Sequence, residues 1–354
     1  MNSIRTTREE ALKKLYEGYG YSQYKMSKFE EYDLYVRNKS FLVSDHIITF
    51  TDTDGKLMAL KPDVTLSIVK NSAESENGIR KVYYNENVYR VPKGALSFKE
   101  IMQAGLECIG EIDSYCVAEV LSLAAKSLAE ISDDYVIDVS HMGIVSALAD
   151  MLELSANGRK KLLSCIGEKN IHGIDALCFT EGVDVKNAEV LKKLLSMKGD
   201  CMTMLEALRG SACEKEAEEL ASTVMTVKSM GYKVNVDFSV TDDMKYYSGI
   251  VFKGFVKGIP TSVLSGGRYD NLMKKMGKKS GAIGFAVYLD CFAALDEYVV
   301  EYDADTIILY DDQTVVGDLL KRVSELSESG RVITRKTLSD DITYREIIDM
   351  RGDR

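Results

Sequence analysis

Long apolar runs are missing from this chain. No uninterrupted stretch is long enough to cross a bilayer, and the opening residues, MNSIRTTREEALKKLYEGYGY, carry charges throughout with no apolar segment of the signal-peptide kind. That argues against a membrane partner and makes a cytoplasmic protein the expectation. Histidine is scarce, with three in all, and none of the seven cysteines (Cys108, Cys116, Cys165, Cys178, Cys201, Cys213 and Cys291) stands in a Cys-x-x-Cys pair. Spaced zinc ligands are therefore absent and the thiols read as buried and reduced, so neither a metal nor a cofactor is expected. Positive charge is in deficit, 45 Lys and Arg against 55 Asp and Glu, for a net charge of -10. Nucleic-acid affinity grows from clustered cations that release counterions, so the balance argues against nucleic acid as a partner. Prolines number three (Pro62, Pro92 and Pro260), and no internal repeat or low-complexity segment occurs.

What is present is 45% hydrophobic and 28% charged residues over 354 positions, enough for one large domain and a smaller one. Ala11, Leu12, Leu15 and Tyr16 predict a helix over 7–19, ended by Gly18 and Gly20. A β-branched run at 47–51, a turn at 52–55 and an apolar run at 56–60 predict a hairpin. Residues 81–85, 87–90 and 103–110 read as strands with a polar loop at 91–100 between them. Residues 114–131 and 141–154 read as helices flanking a strand at 136–139. From 155 to 231 the pattern is helical, as in an insertion, and strand patterns resume at 233–238 and 248–256. Residues 261–266 lead to a glycine turn, and 282–295 read as a closing helix. The last stretch, 306–310, 316–326 and 331–334, has a β-α-β order. The class expected is α+β, a mostly antiparallel sheet flanked by helices, with a core over 1–300, a helical insertion at 155–231 and a short α/β segment at 301–354.

Four segments carry the chemistry: Leu60-Lys61-Pro62-Asp63-Val64-Thr65, Val88-Tyr89-Arg90, Gln103-Ala104-Gly105-Leu106-Glu107, and Tyr246-Tyr247-Ser248-Gly249 followed by Gly266-Gly267-Arg268-Tyr269-Asp270. An ammonium taken out of water needs anionic or carbonyl acceptors nearby, which Asp63, Glu107, Thr65 and Gln103 could supply. Each also has a plainer reading. Asp63 could cap a helix starting at Val64, Glu107 could be a solvated strand residue, Tyr246 and Tyr247 could be core aromatics, and Gly266-Gly267 could be only a turn. In this order and spacing, over roughly the first 295 residues, the four segments resemble the class II aminoacyl-tRNA synthetase core, and within it the histidyl-tRNA synthetase family. The resemblance implies a dimer built through the N-terminal helix region and a pocket for histidine and ATP. It further implies that Asp63, Thr65, Gln103 and Glu107 surround the amino group and imidazole, that Tyr246 and Tyr247 lie near the imidazole, and that Arg90 meets the α-phosphate.

The chain departs from that family where cations are needed to hold phosphates. Cys291 occupies the motif 3 arginine position, and Asp242 falls where the histidyl-specific arginine would precede the tyrosine pair. The motif 2 loop, residues 91–100, offers only Lys93 and Lys99, and Ser27 stands at the motif 1 proline position. Loss of one preorganised donor costs about a hundred- to a thousand-fold in rate, so aminoacylation is not expected. The short C-terminal segment also falls below a full anticodon-binding domain.

A retained amine pocket without its catalytic arginines resembles the synthetase-like regulatory subunits of short-form ATP phosphoribosyltransferase, the first enzyme of histidine biosynthesis. That resemblance implies a partner, the short catalytic subunit, which needs this chain for activity. It also implies histidine as effector in feedback inhibition, and homodimers within a hetero-octamer. Because Asp242 replaces the group that would neutralise the ligand carboxylate, another donor such as Arg90, Lys245 or Arg268 would be required, or a site at the subunit interface. Two alternatives stay open, a divergent but active histidyl-tRNA synthetase and a stand-alone module sensing amino acid or tRNA. The helical insertion is expected to be a docking surface.

Overall fold

β-branched and aromatic residues concentrate in residues 80–90, which in the computed structural model pair with residues 99–109 as an antiparallel hairpin from Arg80↔Ile109 to Arg90↔Lys99. The structure describes residues 2–42, 46–72, 78–91, 96–196, 201–241, 246–298, 302–339 and 342–352. Two compact units are present, Asn2–Ala294 and Leu295–Arg354.

The larger unit begins with α1 (Asn2–Gly18), β1 (Ser22–Gln23), β2 (Phe29–Glu31), α2 (Tyr32–Arg37), a 3-10 turn at Lys39–Phe41, the hairpin β3 (Thr49–Thr51) and β4 (Leu57–Leu60), and α3 (Thr65–Asn71). The long pair β5 (Arg80–Arg90) and β6 (Lys99–Gly110) follows, then α4 (Ser114–Ala129), β7 (Tyr135–His141) and α5 (Met142–Met151). The segment expected to be helical holds α6 (Ala156–Gly167), α7 (Ile171–Glu181), α8 (Val185–Ser196), α9 (Cys201–Leu208) and α10 (Glu214–Ser229). The chain returns through β8 (Val234–Val236), β9 (Ile250–Val256), β10 (Leu264–Arg268), α11 (Asp270–Lys275), β11 (Gly281–Tyr288) and a 3-10 helix at Leu289–Tyr298. Eight strands form one sheet in the order β1-β5-β6-β11-β10-β9-β7-β8. It is antiparallel except at its two edges, where β1 runs parallel to β5 and β8 to β7.

Three expectations need correction here. Residues 282–295 are not a closing helix. Residues Gly281–Tyr288 form β11, held between β6 and β10, and only the stretch after Tyr288 turns helical, as 3-10. Ala282, Ile283, Phe285 and Val287 are all buried. A strand covered on both faces loses its two-residue alternation and reads as an apolar run that periodicity cannot tell from a helix. Nor is Gly266-Gly267 a turn. Both glycines lie inside β10, and neither has a left-handed φ. Glycine is required there by close approach: a Cβ at Gly266 would lie 2.4 Å from Phe285 Cβ, and one at Gly267 2.6 Å from the Ile250 carbonyl oxygen. The polar loop expected at 91–100 is shorter on its C-terminal side, because Lys99 and Glu100 already belong to β6; residues 92–95, with Lys93, lie outside the described residues.

One face of the sheet is packed by α1 and α4. The Tyr16 ring meets Phe285 edge-on at 6.1 Å, and Leu128 of α4 presses on Gly254, where a Cβ would come within 2.5 Å of its Cδ1. Asp113 caps α4 by accepting the Cys116 N–H at 2.8 Å. The other face carries the cavity described below. The smaller unit is a parallel three-stranded sheet, β13 (Val332–Arg335), β12 (Ala304–Leu309) and β14 (Tyr344–Asp349), with one helix, α12 (Val316–Ser327), in the crossover from β12 to β13. Its third strand, Tyr-Arg-Glu-Ile-Ile-Asp, is mostly polar and exposed, so it carried no hydrophobic signal. No helix among the described residues is long and apolar enough to cross a membrane.

Phe252 is fully buried on β9, its ring 6.4 Å from that of Phe285. Replacing it with Ala should cost about 3–5 kcal/mol, read as a lowered urea midpoint with an unchanged m-value. A loss below about 1 kcal/mol would show that this face is not the core.

Candidate amino-acid site in the sheet cavity

The register places small residues side by side across the middle of the sheet. Lys253, Ser265, Ala286, Gly105 and Tyr84 form one cross-strand row, and Val251, Gly267, Gly284 and Glu107 the next. Where a row has little side-chain volume the sheet becomes a floor, and here it floors a cavity of about 450 Å³. Asp63, Thr65, Arg90, Gln103, Glu107, Tyr246 and Tyr247, all seven candidate residues, line it together.

Its most constrained member is Glu107, only 2% exposed, so the reading of it as a solvated strand residue is overturned. Its carboxylate lies over Gly284 of the neighbouring strand, where a Cβ would sit 1.7 Å from Oε2. Tyr269 donates its hydroxyl to Oε2 at 2.6 Å, and Thr65, the first residue of α3, donates to Oε1 at 2.7 Å. Burial pushes the Glu107 carboxyl up to about 8; the two hydroxyl donors hold it down and the negative charge of Asp63 adds to the rise. Asp63 is pushed upward as well, chiefly by burial, against the opposing pull of the Leu66 N–H, Arg90 and the Thr65 N–H. It does cap α3, accepting the Leu66 N–H at 2.8 Å. The plain reading of Asp63 therefore holds, and it does not preclude a second use, because one oxygen can serve the helix while the carboxylate fronts the cavity.

Aromatic rings close the wall. Tyr246 packs against Tyr247 at 4.8 Å, Tyr269 at 5.7 Å and Phe41 at 6.0 Å. Burial raises the phenols of Tyr84, Tyr246 and Tyr269 well above their ordinary value, so they act as neutral hydrogen-bonding groups. Toward the far end Gln103 pairs across the strands with Tyr288, and the guanidinium of Arg90 lies 5.9 Å from the Tyr288 ring centroid.

Among the described residues, the basic side chains lining the cavity are Arg90 and Lys253. Lys253 was not singled out from the sequence. Its signal was present, two positions after Val251 on the same strand face, but a lysine in a strand ordinarily marks a solvated face. Tyr269, quoted with its motif but given no role, proves to be a direct partner of Glu107. Arg268, considered as a carboxylate donor, is not in the lining and gives its Nε to Asp270 at 2.9 Å. Cys291 also stays out of the lining. It is half-buried, its thiol held up by burial and in contact with the Thr261 hydroxyl, next in sequence to the cavity residue Ser262. Asp242 and Lys245 lie outside the described residues.

An antiparallel sheet backed by helices, with an acidic, aromatic cavity on its open face, has the architecture of a class II aminoacyl-tRNA synthetase core. The chain belongs to the histidyl-tRNA synthetase family, whose model matches residues 2–291. It is 29% identical to the ATP phosphoribosyltransferase regulatory subunit of Clostridium kluyveri over 96% of this chain and 90% of that one. Among solved structures it is similar to an ATP phosphoribosyltransferase regulatory subunit/histidyl-tRNA synthetase from Bacillus halodurans, with TM-score 0.81, 22% identity and coverage of 98% of this chain and 94% of that one. It is also similar in fold to a chain of the ATP phosphoribosyl transferase (HisG:HisZ) complex from Thermotoga maritima, with TM-score 0.65, 18% identity and coverage of 81% of this chain and 98% of that one.

Two outcomes are expected. Gly284→Ala forces a methyl onto the Glu107 carboxylate and to 2.4 Å from the Leu106 carbonyl oxygen, so it should lower thermal stability, whereas Gly317→Ala, in open space within α12, should not. Equal melting temperatures for native and Gly284→Ala protein would refute the close approach. The second concerns pH. The folded chain holds the Glu107 proton up to about 8, whereas the unfolded chain releases it near the ordinary 4.5. The folded state therefore binds the extra proton in that window, and its stability declines as pH rises from about 4.5 to about 8 and levels off above. Glu107→Gln should remove that decline, so the difference in urea midpoint between variant and native protein should shift in favour of the variant from pH 5 to pH 8. A difference that does not vary with pH would show that Glu107 does not carry the proton.

Proposed function

We propose that this chain is the regulatory, non-catalytic subunit of a short-form ATP phosphoribosyltransferase, that its cavity takes histidine, and that occupancy inhibits the catalytic partner. The observation that carries this reading is the asymmetry of the cavity. The end suited to an amine has Thr65, Glu107 and Tyr269 joined in one buried network, with the Asp63 carboxylate lining the same space. At the end that would have to steady a triphosphate, the basic lining residues among those described are Arg90 and Lys253, and the motif 3 position holds a thiol that does not reach the space. A synthetase works by electrostatic preorganisation around developing phosphate charge, so loss of such donors removes catalysis while leaving amino-acid binding possible. The names of the Clostridium kluyveri and Bacillus halodurans relatives support the regulatory role.

In this reading the chain acts as homodimers within a hetero-octamer with the catalytic subunit, and the helices between Ala156 and Ser229 offer the docking surface. Mixing the chain with a short catalytic subunit should raise phosphoribosyl-ATP formation well above that of the catalytic subunit alone, and histidine should then suppress it. In a complex made with Asp63→Asn, which keeps an oxygen for the α3 cap, activation should persist while histidine sensitivity falls at least tenfold. If the chain neither activates nor confers inhibition, the proposal fails.

Lys253 favours one second reading, a divergent but active synthetase, since it brings a second cation to the cavity in addition to Arg90. Histidine-dependent pyrophosphate exchange with ATP separates the two. Exchange at background level is expected, and robust exchange would replace the regulatory reading with the enzymatic one.

A further inference from the structure

Away from the acidic end, the floor of the cavity gathers hydrogen-bond donors. Ser265 on β10 and Tyr288 at the end of β11 both line the space, and their hydroxyl oxygens lie 2.5 Å apart. In such a pair one hydroxyl donates to the other, and the accepting one keeps its own hydrogen to offer elsewhere. Cations flank the pair. The Arg90 guanidinium lies 5.9 Å from the Tyr288 ring centroid. Lys253 stands directly opposite Ser265 in the β9–β10 pairing, on the same face, where facing Cβ atoms are about 5 Å apart. Ala286, opposite Ser265 on its other side, adds only a methyl, so the floor leaves the space over the hydroxyls open. The charge of Arg90 also reaches Asp63, whereas Lys253 belongs to β9, three strand positions from the Glu107 strand and about 14 Å away at the usual spacing. Among the described residues, the acidic side chains lining the cavity are Asp63 and Glu107.

We propose that Lys253, with the hydroxyls of Ser265 and Tyr288, forms the carboxylate subsite of the cavity, so that a free amino acid is recognised through its nitrogen groups at one end and its acid group at the other. The inference rests on the reading of the cavity as an amino-acid site and names the residues that read the acid. An ammonium and a hydroxyl converging from neighbouring strands suit a carboxylate, because charge-assisted bonds supply strength while a hydroxyl already held by its neighbour supplies direction. The span is suitable too. Glu107 and Ser265 stand on strands two positions apart, roughly 10 Å between backbones, and side chains reaching in from both close that gap to the length of one amino acid. Lys253 then has a use that needs no triphosphate. The consequence for specificity is that an amine without the acid group, or an amino acid whose carboxylate is masked as an ester or amide, leaves the Lys253 end without its anion and binds weakly.

The test is calorimetry of the full chain, alone and in complex with the catalytic subunit, titrated with L-histidine and with histamine, which keeps the amine and imidazole but lacks the carboxylate. Native protein should bind histidine about ten- to a hundredfold more tightly than histamine. Lys253→Met, shown to be folded by its melting curve, should lose most of that preference: histidine weakens at least tenfold, while histamine binds equally or more tightly because a repelling charge is gone. Tyr288→Phe, which keeps the ring beneath Arg90, should weaken histidine a few-fold and leave histamine unchanged. If Lys253→Met weakens both ligands alike, or neither, the carboxylate subsite is overturned while the amino-acid site stands. ATP binding by native protein that disappears in Lys253→Met would assign the cation to phosphate and overturn it as well. Absence of histidine binding by native protein in both preparations would overturn the amino-acid site and the subsite with it.

Discussion

The cavity depends on one arrangement, a carboxylate taken out of water against a glycine on the neighbouring strand. Glu107 can occupy its position only because Gly284 has no side chain, and it is tolerable there only because Thr65 and Tyr269 turn their hydroxyls toward it. Those two donors come from segments far apart in sequence, the start of α3 and the residue after β10. The carboxylate therefore pins the roof of the cavity to its floor. Asp63 extends the same device by capping α3, which fixes the Thr65 hydroxyl over the sheet.

From this follows a division of the cavity into two ends with different chemistry. At the acidic end Glu107 accepts from Thr65 and Tyr269, Asp63 accepts from the Leu66 N–H, and edge-on and tilted tyrosine rings wall the space. The end with Arg90, Gln103, Tyr288 and Lys253 holds small residues at Ser265 and Ala286. In a synthetase both ends must act together, since an activated amino acid and a nucleotide react across them. Among the described residues, the second end has Arg90 and Lys253 as its basic side chains, which is the asymmetry on which the proposed regulatory role rests.

Much of the larger unit was legible because its signals are local. The apolar spacing at Leu12, Leu15 and Tyr16 marked α1, the turn at Asp52–Gly55 marked the β3–β4 hairpin, and residues 81–90 and 103–110 read as the strands that became β5 and β6. Legibility failed where burial erased pattern or where contacts were long-range. β11 was mistaken for a helix because both of its faces are covered, and β14 was missed because exposure made it polar. All seven candidate residues meet in one cavity, since their motif spacing is a property of the sequence. Lys253 went unnoticed because nothing in one strand reveals that its neighbours Ser265 and Ala286 are small enough to leave space beside it. The exclusion of Arg268 was equally hidden, resting on a partner two residues away that sequence alone could not orient.

The most direct test is equilibrium dialysis of radiolabelled L-histidine against the isolated chain at pH 8, native and Glu107→Gln in parallel. The account predicts one histidine per native chain and at least tenfold weaker binding to the variant, with both proteins folded. Equal affinity in the two would contradict it, because the buried carboxylate would then have no part in holding the ligand.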